Sequence, residues 1–139
     1  MSAADLFWGI DHVKVKPEDT HKLAFSTGEG QYKFVQLPMG LKISPAVFQR
    51  MTNLVCQDYL KKCLLVYMDN LIIYSSSAEQ QLADLEKVFS RMRKASLGLK
   101  IEKCKFFQKK LKDLGFIVFV KGIALHPGKV SAVHTDVQM

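Results

Sequence analysis

The side chains best placed to do chemistry lie in residues 63–74, Cys-Leu-Leu-Val-Tyr-Met-Asp-Asn-Leu-Ile-Ile-Tyr. Two short apolar runs rich in β-formers flank Asp69 and Asn70. This pattern predicts a β-hairpin with an acid at its tip. An acid on such a rigid platform can present its charge to solvent or to a metal ion. An Asp-Asn pair is also ordinary turn chemistry, so the segment alone leaves both readings open.

The elements that must carry this hairpin can be read from the rest of the chain. Ser44-Pro45 predicts a helix start, an N-cap followed by proline at the first helical position. Phe48, Met51, Leu54 and Val55 supply its buried face to about Tyr59. Ser77-Ala-Glu-Gln80 fits a capping box. Leu82, Leu85, Val88, Phe89, Met92 and Ala95 then recur at helical spacing, with Gly98 as the expected stop. Acids lie early in this helix and bases late, as the helix dipole favours. Residues 23–26 and 32–37 read as strands joined by Thr27-Gly-Glu-Gly30. Residues 114–120 and 123–125 read as a further hairpin, and residues 127–130 as the start of a last helix. Helices interleaved with antiparallel hairpins predict an α+β domain, an antiparallel sheet with helices packed on one face.

The chain has 139 residues, 48% of them hydrophobic and 24% charged, which suits one folded domain with its own core. No apolar stretch approaches the ~20 residues of a membrane span. The opening residues lack a signal-peptide pattern, so the expectation is a cytoplasmic or nuclear protein. Three cysteines, Cys56, Cys63 and Cys104, form no CxxC pair. That argues against a zinc site or a disulfide framework and for reduced thiols. The net charge is +7, with Lys and Arg dense between Lys87 and Lys121. Localised positive charge suits a polyanion, and a basic but inert surface is the other reading.

Three segments together resemble a known family. They are Ala4-Asp-Leu-Phe-Trp-Gly-Ile-Asp11, the run Leu37-Pro-Met-Gly-Leu-Lys-Ile-Ser-Pro-Ala-Val-Phe-Gln49, and Tyr67-Met-Asp-Asn70. Their order and spacing resemble the palm of reverse transcriptases, above all those of gypsy-type LTR retrotransposons and related endogenous retroviral pol genes. Residues 98–107, Leu114-Gly-Phe116, Gly122-Ile123 and Pro127-Gly-Lys-Val130 agree with it. The resemblance runs from about Asp5 to Val133. It implies one reverse transcriptase domain fragment over residues 1–139, a palm with partial fingers. The thumb, connection and RNase H domains of the family lie outside this sequence, as do the upstream fingers and most of the strand leading into Asp5.

The resemblance implies RNA-directed DNA polymerisation with two magnesium ions, an RNA/DNA template-primer and dNTPs, and no membrane. Asp5 and Asp69 match the family's main metal ligands. Asn70 stands at the family's second tip acid, where a neutral amide removes a charge from the site. Ile10 stands where relatives carry an aromatic residue that excludes the ribose 2′-hydroxyl. Met39 and Gly40 match a loop lying against the incoming nucleotide, and Met39 is equally readable as core filler. Tyr67 and Met68 match primer or template contacts. Lys100, Lys103 and Lys105 fall where relatives supply a base near the pyrophosphate, with no choice among them. Asn70 and the truncation imply weak or absent catalysis. The alternative is a non-catalytic nucleic-acid-binding remnant.

Overall fold

A computed structural model describes residues 1–7, 13–113, 115–119 and 122–125. A central antiparallel sheet has the strand order β4-β5-β1-β6. Its strands are β1 (Ser2–Phe7), β4 (Leu64–Tyr67), β5 (Asn70–Ile73) and β6 (Gly98–Leu99). Helices α1 (Ser44–Cys56) and α2 (Ala78–Lys94) pack together on one face of it. A two-stranded ribbon of β2 (Ala24–Thr27) and β3 (Gly30–Lys33) stands apart from this sheet. A second sheet joins β7 (Lys110–Asp113), β8 (Phe116–Phe119) and β9 (Gly122–Leu125).

The core explains the layer arrangement. Along β1, Ser2, Ala4 and Leu6 are buried, while Ala3, Asp5 and Phe7 are less so. Because side chains alternate across a strand, the second set lies on the face away from the helices. Ala4 and Leu6 meet Leu64, Leu71 and Ile73 of the neighbouring strands and Phe48, Val88 and Met92 of the helices. Burying a side chain such as Phe48 removes it almost wholly from water, and each such group contributes roughly 1.5–3 kcal/mol. The sheet is thereby fixed in register, since a one-residue slip of β1 would turn Asp5 into this core.

Several expectations are met and several are corrected. The N-cap forms, with Ser77 Oγ accepting from the Gln80 amide, but the Gln80 side chain donates to Asp84 instead of closing the expected capping box. Its helix ends at Lys94, and Ser96 takes the left-handed conformation expected of Gly98. Gly98 instead pairs with Phe7 in β6. A Cβ on Gly98 would lie 3.5 Å from Phe7 Cβ, an ordinary contact, so strand pairing explains its position better than crowding. Leu82 and Leu54 are exposed, not buried. Gln81 and Asp84 take places in the buried stripe of α2. Ser44 opens α1 from inside it, and its hydroxyl donates to the Pro38 carbonyl at 2.8 Å instead of capping. The helix stops at Cys56, short of Tyr59. The strand carrying Asp5 is six residues long and lies between β5 and β6. Strand β7 carried no sequence signal, since alternate lysines hide its pattern. The helix expected from residue 127 lies outside the described residues.

Candidate active site

The hairpin forms, and its tip differs in detail from the expectation. Tyr67 pairs with Asn70, so the loop is Met68-Asp69 and Asn70 opens β5. Met68 carries φ +52° while Asp69 does not have positive φ. That is the pattern of a II′ turn, whose first central position normally belongs to glycine. A non-glycine residue there stores strain, and something must hold it.

Gln49 of α1 holds it. Its Oε1 accepts from the Met68 amide at 2.5 Å, and its Nε2 donates to the Val66 carbonyl at 3.3 Å and to Asn53 Oδ1 at 2.9 Å. One amide side chain thus ties the helix to both sides of the tip. Sequence reading assigned Gln49 no role. The only signal was a polar residue beside Phe48 near the buried face of α1.

Asp5 reaches the tip through strand register. It lies directly opposite Asn70 in the β1–β5 ladder, and the Leu6 amide donates to the Asp69 carbonyl at 2.8 Å. Directly opposed residues project from the same face. Asp5, Asn70 and Tyr67 therefore share the face opposite the helices. Among the described residues the Asp69 side chain has no hydrogen-bond or ion-pair partner, and Tyr67 is exposed.

Asp5 is not free. Its side chain is 16% exposed, and two ammonium groups face its carboxylate. Lys100 Nζ stands 3.3 Å from Oδ1 and Lys103 Nζ 3.7 Å from Oδ2. Oδ1 is buried and accepts no hydrogen bond, so the Lys100 contact is one of charge and not of aligned donation. Of the three lysines left open by sequence, Lys100 and Lys103 meet Asp5. Lys105 pairs by backbone with Ala3, and its side chain lines a small cavity of about 80 Å³ with Asp5, Asn70, Lys103 and Lys112.

The remaining sequence-derived positions are scattered. Met39 is exposed, which removes the core-filler reading. Gly40 takes φ +90°, a left-handed turn that suits glycine. No described contact brings either to Asp5. Ile10 lies outside the described residues. The three cysteines are free thiols. Burial pushes Cys56 up to about 11, and burial and then Asp84 raise Cys63, so neither is a thiolate near neutral pH.

The fit to magnesium can be tested on these contacts. Magnesium is a hard cation that takes oxygen ligands in a near-octahedral shell. Orphaned Oδ1 of Asp5 would welcome a cation. Against it, both Asp5 oxygens already face ammonium groups, and Asn70 offers no charge. Among the described residues no three His, Cys, Asp or Glu side chains form a metal-binding group. The residues present do not fit a paired magnesium site.

A four-stranded antiparallel sheet with two helices behind it, and an acid-tipped hairpin beside an aspartate strand, make up a palm-like α+β fold. The chain belongs to the reverse transcriptase (RNA-dependent DNA polymerase) family, whose model matches residues 1–118. It is 39% identical over 129 residues to the retrovirus-related Pol polyprotein from transposon 297 of Drosophila melanogaster, covering 93% of this chain and 12% of that one. It is 37% identical to the polyprotein from transposon opus of the same fly, over 93% of this chain and 13% of that one. The Tf2-7 polyprotein of Schizosaccharomyces pombe is 31% identical, over 79% of this chain and 8% of its own length. The chain thus spans about an eighth of the fly relatives it matches. Among solved structures, the foamy viral protease-reverse transcriptase in complex with RNA/DNA hybrid superposes with TM-score 0.82 at 22% identity, over 96% of this chain and 18% of that one. The foamy viral protease-reverse transcriptase dRH in complex with double-stranded DNA gives 0.83 over 96% and 23%. Among the described residues no helix is long and apolar enough to cross a membrane.

Proposed function

We propose that the chain is the palm portion of a retroelement polymerase that seats an RNA/DNA template-primer at the hairpin-tip end of the sheet face opposite the helices, with Asp5 and Asp69 as its acidic site. In the parent reaction a primer 3′-hydroxyl oxygen bonds to the α-phosphorus of a dNTP and pyrophosphate leaves. Asp5, Asp69 and the position held by Asn70 are the groups this chain brings to that chemistry. Tyr67 and Met68 would lie against the primer end, and Met39 and Gly40 against the nucleotide. The single observation that supports this reading most is the Asp5–Asn70 register, which joins two segments distant in sequence at one hairpin tip.

The same site favours a second reading, nucleic-acid binding with little or no catalysis. Asn70 removes a charge, and Lys100 and Lys103 neutralise Asp5. Losing a charge that stabilises a transition state typically costs several kcal/mol.

Anisotropy with a labelled RNA/DNA template-primer tests the binding. The expected result is affinity that falls linearly on a log–log plot against salt; salt-insensitive binding, or none, overturns both readings. Primer extension with magnesium then separates them. Trace extension by the unmodified chain, raised about tenfold or more by Asn70→Asp and abolished by Asp5→Asn, supports the polymerase palm. Binding with no extension from either form supports the binding module.

A further inference from the structure

We infer that Lys100 and Lys103 serve Asp5 as built-in counter-ions, so that this palm, when free of nucleic acid and nucleotide, holds its strand aspartate by internal ion pairing and excludes a divalent cation from it. The inference goes beyond the polymerase reading, and its test uses no nucleic acid.

Backbone geometry makes the pairing part of the fold. The Lys100 amide donates to the Asp5 carbonyl at 2.8 Å, which pins Lys100 beside the residue whose carboxylate it faces. Residues Ile101–Lys103 then form one short 3-10 turn, closed by the Lys103 amide donating to the Lys100 carbonyl at 3.0 Å. Lys100 itself is extended and sits just before that turn; the turn reverses the chain so that Lys103 returns toward Asp5, and the two ammonium groups meet opposite oxygens of one carboxylate. Cys104 Sγ, 3.3 Å from the Lys100 carbonyl, closes the turn from below.

Charge decides what this cluster accepts. The single negative charge of Asp5 faces the two positive charges of Lys100 and Lys103, and Asn70 adds nothing. Lys105 and Lys112 line the adjoining cavity and tilt the surroundings positive. A divalent cation entering beside Asp5 would have to displace two ammonium groups and then sit among two more. At these short separations the repulsion outweighs what one remaining free carboxylate, Asp69, returns. Asp5 is also mostly removed from water, so solvent screens little of it.

The test is a manganese titration of the whole chain followed by electron paramagnetic resonance of free Mn²⁺. The unmodified chain and Asp5→Asn are expected to bind alike, with no saturable site dependent on Asp5. The double variant Lys100→Met with Lys103→Met is expected to gain a site, tighter by about tenfold or more, that adding Asp5→Asn removes. Saturable binding by the unmodified chain that Asp5→Asn abolishes overturns the inference. So does a double variant that binds no more tightly than the parent, or a gain that survives Asp5→Asn. If the double variant lacks the parent's circular dichroism, Lys103→Gln alone, at a mostly exposed side chain, decides by the same titration, with a smaller Asp5-dependent gain expected.

Discussion

Gln49 and Met68 are joined across the junction of helix and hairpin, the side-chain amide oxygen of one accepting the backbone N–H of the other at 2.5 Å. The bond runs from the first half of α1 to the one residue of the tip with positive φ. Burial of the hairpin's strands alone would leave the tip free to relax. The amide fixes it, and with it the direction in which Asp69 leaves the sheet.

Replacing Gln49 by Leu removes both bonds to the hairpin while keeping bulk. A part-buried N–H and carbonyl then lose their partner, at about 1–3 kcal/mol. Gln49→Glu keeps an acceptor for Met68 and loses the donor to Val66, so its expected cost is smaller. Urea unfolding of the three proteins checks the order, and equal stability of Gln49→Leu and parent would contradict it.

Met68 bears a conformation that a β-branched residue resists most. Met68→Val is expected to destabilise by about 1–2 kcal/mol, and Met68→Gly to be neutral or stabilising by up to about 1 kcal/mol. Thermal melts of both, read against Leu65→Val on the neighbouring strand as a control, measure the difference.

Asn70→Asp places a second carboxylate directly across from Asp5. Like charges opposed in a ladder cost about 0.5–1 kcal/mol, and Lys100 and Lys103 offset part of it. In chelator the variant is expected to melt slightly below the parent. Adding magnesium should raise the variant's melting temperature and leave that of the parent unchanged. A parent that gains as much as the variant would speak against the neutral role given to Asn70.

Asp84 supplies a pH dependence far from the tip. Burial acts to raise its pKa, but hydrogen bonds from Ser75 and Gln80 and the charge of Lys87 outweigh it, and the carboxyl sits below its ordinary value of 3.8. A lowered folded pKa means stability fully present above the ordinary carboxylate range and lost as the pH falls through the folded value. Unfolding free energy is therefore expected to fall below about pH 4, with a shallower slope in Asp84→Asn. Ser75→Ala should reduce stability near neutral pH by about 1 kcal/mol. Denaturant titrations across the acid range give both.

Much of this molecule is written in local pattern. The hairpin of residues 63–74, the Ser77 cap and the α+β class follow from spacing, because alternation and capping depend only on neighbours along the chain. The limits of local pattern show at Leu82 and Asp84 of α2. Hydropathy placed the leucine inside. The structure leaves Leu82 exposed and buries Asp84, whose carboxylate Ser75 and Gln80 satisfy. Strand β7 escaped notice because its alternate lysines resemble a loop until β8 pairs with it.

The chain's own order of residues determined that an acid would stand on a hairpin turn. It also determined the excess of lysine toward the C-terminal half. Only the tertiary structure decided that Asp5 lies opposite Asn70, that Gln49 clamps the tip, and that Lys100 and Lys103, among several lysines, face the Asp5 carboxylate. These relations depend on strand register and on one 3-10 turn. Both are set by which apolar faces find each other in the core, and that is a property of the whole fold and not of any stretch of sequence.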